Sequence, residues 1–153
     1  MPQDRITAAL DQVLELVVLL GEDMTQSLAR EGLTTSRAHL LWELRRGPCT
    51  QRALAEALNV SARNITGLVD GLVETGFVVR EPHPTDRRAT LISFTEHGFA
   101  ITAAMEEGQQ ELANLLFADM PARQLTCLTK GLGEVLERLR ARLLVEEQKE
   151  TRV

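Results

Sequence analysis

Between Gln3 and Glu31, apolar residues recur at helical spacing: Ile6, Leu10, Val13, Leu14, Val17, Leu20, Met24 and Leu28. At 1.5 Å per residue this predicts one helix about 40 Å long. A chain of 153 residues needs no helix of that length for its own core. Leu16, Val18 and Leu19 place further apolar surface on the other side of it. A partner chain is the simplest cover, so this segment points to an assembly rather than a lone globule.

The rest of the composition is that of a folded protein. Hydrophobic residues make up 44% and charged residues 25%, which excludes disordered and collagen-like chains. The longest strongly apolar run, Leu16 to Leu20, is far short of a membrane span, and no signal-peptide core follows the N-terminus. Two cysteines, Cys49 and Cys127, cannot build a disulfide framework. The expectation is a soluble cytoplasmic protein with no membrane partner.

Punctuation along the chain divides it further. Gly32 ends the first helix, and Thr34 or Thr35 caps a second that runs through Arg46 to the break at Gly47-Pro48. Cys49 is expected in that turn. Thr50 caps a short helix, Gln51 to Leu58, and Asn59 suits a left-handed turn. Ser61 caps the next helix, which ends near Glu74 with Gly76 as its stop. The period then changes. Phe77–Arg80 and Thr90–Thr95 are β-branched and aromatic runs, separated by a polar tip, Glu81–Arg88, with two prolines. Thr95 caps a long helix to about Ala118, and Pro121 opens a last one to about Gln148, ahead of a charged, frayed tail over 147–153.

Thr50 to Leu72 has the spacing of a helix-turn-helix, with Leu54, Leu58, Ile65 and Leu68 facing inward across the Asn59 turn. Ile65, Leu68, Val69 and Leu72 form one stripe of the second helix. The other side carries Arg63, Asn64, Thr66, Gly67 and Asp70. Arginine suits guanine, asparagine suits adenine, threonine suits a base or the backbone, and glycine leaves room for a phosphate. A hairpin directly after such a pair resembles the winged helix fold. Arg87 and Arg88 sit on its tip, where a narrow minor groove would favour them, and Asp86 can hold one of them by a salt bridge.

From these residues the chain resembles the MarR family, the multiple-antibiotic-resistance type of bacterial transcription regulators. The matching stretches are Thr50–Ser61, Asn64–Asp70 with Leu72, and above all Asp86–Gly98, which looks like that family's wing and the opening of its next helix. The resemblance implies a mainly α fold with a small two-stranded β-wing. Residues 34–95 would form a winged helix-turn-helix lobe, and both chain ends, 1–33 and 96–153, a helical dimerisation lobe. It further implies a homodimer on a pseudo-palindromic double-stranded DNA site, with Arg63, Asn64 and Thr66 in the major groove and Arg87 or Arg88 in the minor groove. Thr50, Ser61, Gly67, Arg80 and His83 complete the expected DNA-contacting set. Members of this family are often released from DNA by a small ligand between the two lobes. Met24, His39, Trp42 and Arg46 are the residues here that could line such a crevice for an aromatic or amphipathic molecule, although core packing is the commoner role for Trp42 and Met24.

Charge does not oppose this reading. The net charge is −5, which argues against indiscriminate coating of nucleic acid. Residues 61–95, however, balance four cations against four anions, and all cations but Lys130 and Lys149 are arginine. Other functions fare worse. His39, His83 and His97 are scattered without metal-ligand spacing, and no nucleophile elbow, phosphate loop or dinucleotide fingerprint is present, so no metal, cofactor or enzymatic activity is expected. Two alternatives to a ligand-released repressor remain. One is a winged helix that serves as a protein-interaction module without binding DNA. The other is a redox regulator using Cys49, whose thiol would be tuned by nearby Arg45, Arg46 and Arg52, with Cys127 a small buried hydrophobe.

Overall fold

A computed structural model describes residues 2–150, and the side chains of residues 3–146. The described residues form six helices and a small antiparallel sheet: α1 (Pro2–Arg30), α2 (Thr35–Leu44), β1 (Cys49–Thr50), α3 (Gln51–Leu58), α4 (Ala62–Glu74), β2 (Val78–Pro82), β3 (Thr90–Phe94), α5 (Glu96–Phe117) and α6 (Ala122–Glu150). They pack as two compact units, one up to residue 106 and one from residue 107 onward.

In the first unit α1 is a single unbroken helix, as its periodicity predicts. It ends where Gly32 takes a φ of +70° and Leu33 N–H bonds back to the Leu28 carbonyl at 2.9 Å. Thr34 caps α2, its hydroxyl accepting from Arg37 N–H at 3.3 Å. That helix stops at Leu44, two residues short of the expected Arg46, and Gly47 at φ +124° turns the chain.

Cys49 is not in a turn. With Thr50 it forms β1, paired to β3 as Cys49↔Ile92 and Thr50↔Leu91, so the expected two-stranded wing is a three-stranded sheet in the order β1-β3-β2. A two-residue strand leaves no periodicity to read, yet it covers an edge of β3 that would otherwise stay unpaired. β2 pairs with β3 from Val78↔Phe94 to Pro82↔Thr90, which carries the strand two residues into the expected tip. Proline is tolerated there because it closes an edge strand.

The core lies between these elements. Leu40, Leu41 and Leu44 of α2 meet Leu54 of α3, Ile65, Val69 and Leu72 of α4, and Val78 and Ile92 of the sheet, all fully buried. Each such side chain contributes about 1.5–3 kcal/mol of transfer free energy. Thr95 locks α5 to this core. Its hydroxyl donates to the Gly76 carbonyl at 2.6 Å and accepts from Gly98 N–H at 2.9 Å. Gly98 is required there, since a Cβ would stand 1.8 Å from the Phe77 carbonyl oxygen.

The second unit holds the end of α5 and all of α6. Leu112, Leu125, Leu128 and Leu132 are half-buried, whereas Leu115, Val135, Leu136, Leu139, Leu143 and Leu144 are exposed. Cys127 is exposed rather than buried, because it falls off the Leu125, Leu128 and Leu132 stripe. The tail expected over 147–153 lies outside the residues whose side chains are described, although the α6 backbone runs to Glu150.

Candidate nucleic-acid interface

Local capping aims α4. Asn59 adopts φ 51°, ψ 51°, and Val60 N–H bonds the Ala55 carbonyl at 3.0 Å, which ends α3 and turns the chain within two residues. Ser61 then caps α4, its Oγ accepting from Asn64 N–H at 3.1 Å, just as Thr50 caps α3 by accepting from Ala53 N–H at 3.1 Å. With Ile65, Val69 and Leu72 buried, rotation about the helix axis is settled. Arg63, Asn64, Thr66, Gly67 and Asp70 all lie on the exposed side.

Two cross-links hold this face. The Gln51 side chain donates to Thr66 Oγ1 at 2.7 Å, joining the first turn of α3 to the second turn of α4. Arg80 of β2 ion-pairs with Asp70 of α4 and so ties the wing to the helix. Arg80, expected to contact DNA, makes this pair while its side chain stays partly exposed.

The wing tip is built by short-range bonds. His83 Nδ1 accepts from Asp86 N–H at 3.0 Å and from Thr85 N–H at 3.2 Å. The salt bridge expected of Asp86 is replaced by a turn: its carboxylate accepts the Arg88 backbone N–H at 2.9 Å. Among the described residues neither the Arg87 nor the Arg88 guanidinium forms an ion pair, and both side chains are exposed.

A cleft of about 690 Å³ opens elsewhere in this unit, lined by Trp42, Arg45, Arg46, Phe94, Phe99 and Glu106 among others. The Arg45 guanidinium lies 3.9 Å from the Trp42 ring centre and also ion-pairs with Glu106. The Phe94 and Phe99 rings meet edge to face at 6.5 Å. Of the four expected crevice residues, Trp42 and Arg46 line this cleft; Met24 and His39 do not. Its walls come from the end of α2 and the turn after it, from β3 and from α5, so of the first two helices only the second contributes.

The sequence model of the MarR family matches residues 31–89. The multiple antibiotic resistance protein MarR of Escherichia coli (strain K12) is 32% identical over 102 residues, covering 63% of this chain and 71% of that protein. The chain belongs to the MarR family. The HTH-type transcriptional repressor YetL of Bacillus subtilis (strain 168) is 31% identical over 100 residues, 65% of this chain but only 60% of that relative. The crystal structure of RV1404 from Mycobacterium tuberculosis superposes with a TM-score of 0.74 at 28% identity, covering 88% of this chain and 92% of that one. The relatives whose names state a role, YetL among them, are transcription regulators, not enzymes.

Within this MarR-family chain, Cys49 does not have the environment expected of a tuned thiol. Burial pushes its pKa up, and the Glu43 carboxylate pushes the same way. The three arginines that should have lowered it are paired elsewhere: Arg45 with Glu106, Arg46 with Glu43 at 3.8 Å, and Arg52 with Glu56 at 3.2 Å. Gln51, bonded to Thr66 on this face, is a residue that sequence reasoning missed. It lies 15 positions from Thr66, beyond the reach of any helical period. Among the described residues no cluster of His, Cys, Asp and Glu could hold a metal, and no helix is long and apolar enough to cross a membrane.

Proposed function

We propose that this protein is a transcriptional repressor of the bacterial cytoplasm that binds a pseudo-palindromic DNA operator as a homodimer and is released by a small molecule. The observation that carries the reading is the exposed polar face of α4, with Arg63, Asn64, Thr66 and Gly67, tied through Asp70 and Arg80 to a wing whose Arg87 and Arg88 are exposed. Arginine and asparagine make bidentate contacts to base edges in the major groove, and a second pair of arginines fits phosphates or a narrow minor groove. The name of YetL as a repressor favours repression over activation.

In this reading residues 34–95 bind DNA, and residues 1–33 and 96–153 dimerise. Ile6, Leu10, Leu14 and Val17 of α1 are all more than half exposed, as are Leu143 and Leu144 of α6, which a second copy would cover. Two-fold pairing would set the recognition helices about one DNA turn apart, roughly 34 Å, or a multiple of it. The Trp42 cleft, aromatic with an arginine at its edge, is the site for an aromatic or amphipathic ligand.

Fluorescence anisotropy against DNA upstream of its own gene, with a scrambled fragment as control and a salt series, tests the proposal. Preference for the upstream fragment by about 10³-fold or more marks a specific reader. Equal, weak binding to both calls for selection from random sequence. An empty selection overturns the DNA reading in favour of a protein-interaction module.

A further inference from the structure

The wing tip is closed largely by one side chain, His83. Pro82 and Pro84 carry no backbone donor, so neither can bond across the hairpin through N–H. Most of the donors that remain are taken up inside the tip. Thr85 N–H and Asp86 N–H share His83 Nδ1, with the Thr85 hydroxyl further off at 3.4 Å. Arg88 N–H goes to the Asp86 carboxylate, Ala89 N–H to the Asp86 carbonyl at 3.2 Å, and His83 N–H to the Ala89 carbonyl at 3.3 Å. The backbone that carries Arg87 and Arg88 is thus folded around two side-chain acceptors, Asp86 and His83. His83 is half-buried, whereas both arginines are exposed.

An acceptor that takes the N–H groups of the second and third residues ahead has the geometry of an Asx turn, ordinarily made by aspartate or asparagine Oδ1. Histidine Nδ1 hangs from the same Cγ and stands in the same place. Removing it costs the fold little, because water replaces the acceptor at an exposed tip. The segment bearing the two arginines then loses its single conformation, and binding has to order it again. We infer that His83 is a positioning residue for DNA binding, its Nδ1 fixing the tip from which Arg87 and Arg88 reach the duplex. The inference rests on the DNA reading above, and it replaces the direct contact expected of His83.

Two substitutions separate the acceptor from the ring. His83→Asn keeps an acceptor on Cγ and loses the ring, whereas His83→Phe keeps a ring and loses the acceptor. Full-length wild type and both variants are measured by anisotropy near pH 8, where free imidazole is unprotonated, on an operator selected from random sequence by the wild type. His83→Asn should bind within about threefold of wild type, as an ordinary surface change does. His83→Phe should bind about tenfold more weakly, the scale of two weak hydrogen bonds. The decisive readout is the same comparison with both arginines removed. In an Arg87→Ala/Arg88→Ala background His83→Phe should cost nothing further, since there is no longer an arginine to position.

Loss of affinity in both His83 variants means that the ring itself meets DNA. Loss in His83→Asn alone means that ring bulk packs the tip, and loss in neither means that the tip needs no acceptor. Each result overturns the inference and leaves the DNA reading standing. So does a His83→Phe loss that persists without the two arginines. Should His83→Phe fail to fold by circular dichroism, His83→Ala takes its place against the same His83→Asn. An empty wild-type selection defeats the DNA reading and the inference with it.

Discussion

Arg80 in the wing and Asp70 on the recognition helix, ten residues apart in the chain, form an ion pair that joins the two elements expected to meet DNA. Their side chains are 35% and 58% exposed, so solvent screens the pair and its contribution is small. A double-mutant cycle with Asp70→Ala and Arg80→Ala, read by urea unfolding, should give a coupling of about 0.2–1 kcal/mol that shrinks with added salt. Zero coupling at low salt would show that the contact does not hold the wing.

Two glycines should respond in opposite directions. A Cβ at Gly98 collides with the Phe77 carbonyl, so Gly98→Ala should destabilise the fold by about 1–3 kcal/mol or more. Nothing lies within 4 Å of a Cβ at Gly67, inside α4, so Gly67→Ala should stabilise by roughly 1 kcal/mol while weakening DNA binding at the approaching backbone. Urea titration and anisotropy separate the two effects. Equal stability changes of the same sign would contradict the packing.

Arg63→Ala should cost about 1–3 kcal/mol on the specific site and relax discrimination at one base position. Arg88→Ala should instead weaken binding to all sequences and lower the salt slope by about one unit. Wild-type affinity in both proteins would refute the assigned docking.

Cys49 should be a sluggish nucleophile. Burial and Glu43 raise its pKa, so at neutral pH its thiolate fraction lies below that of an ordinary thiol. In a Cys127→Ser background, iodoacetamide should modify the folded chain more slowly than the urea-unfolded one near pH 8, the gap narrowing as pH rises. The linked effect on stability has a definite sign. A raised thiol pKa favours the fold below the unfolded value, and that contribution is lost as pH climbs through the folded one. Faster modification of the folded chain would revive a redox role.

Trp42, the single tryptophan, lines the cleft under the Arg45 guanidinium. A ligand entering there should change its emission saturably, and the same concentrations should lower DNA affinity. Release from DNA by a ligand that leaves Trp42 emission untouched would place the effector site elsewhere.

Much of this protein was legible before any coordinates. Helix ends at Gly32 and Gly76 and caps at Thr34, Thr50, Ser61 and Thr95 are set within three or four residues, where hydroxyl chemistry and glycine's positive φ act directly. The polar face of α4 follows likewise from a 3.6-residue period. What sequence alone did not determine joins residues far apart in the chain, or depends on which neighbours have already taken a charge. Gln51 reaches Thr66 only because α3 and α4 cross, and Cys49 finds Ile92 only because the wing folds back beside it. Arg45, Arg46 and Arg52 look available to the Cys49 thiol along the chain, yet each has a carboxylate partner in space. A hydrogen bond or an ion pair falls away within a few ångströms, so its partner is chosen by packing, and packing is decided by the whole core at once.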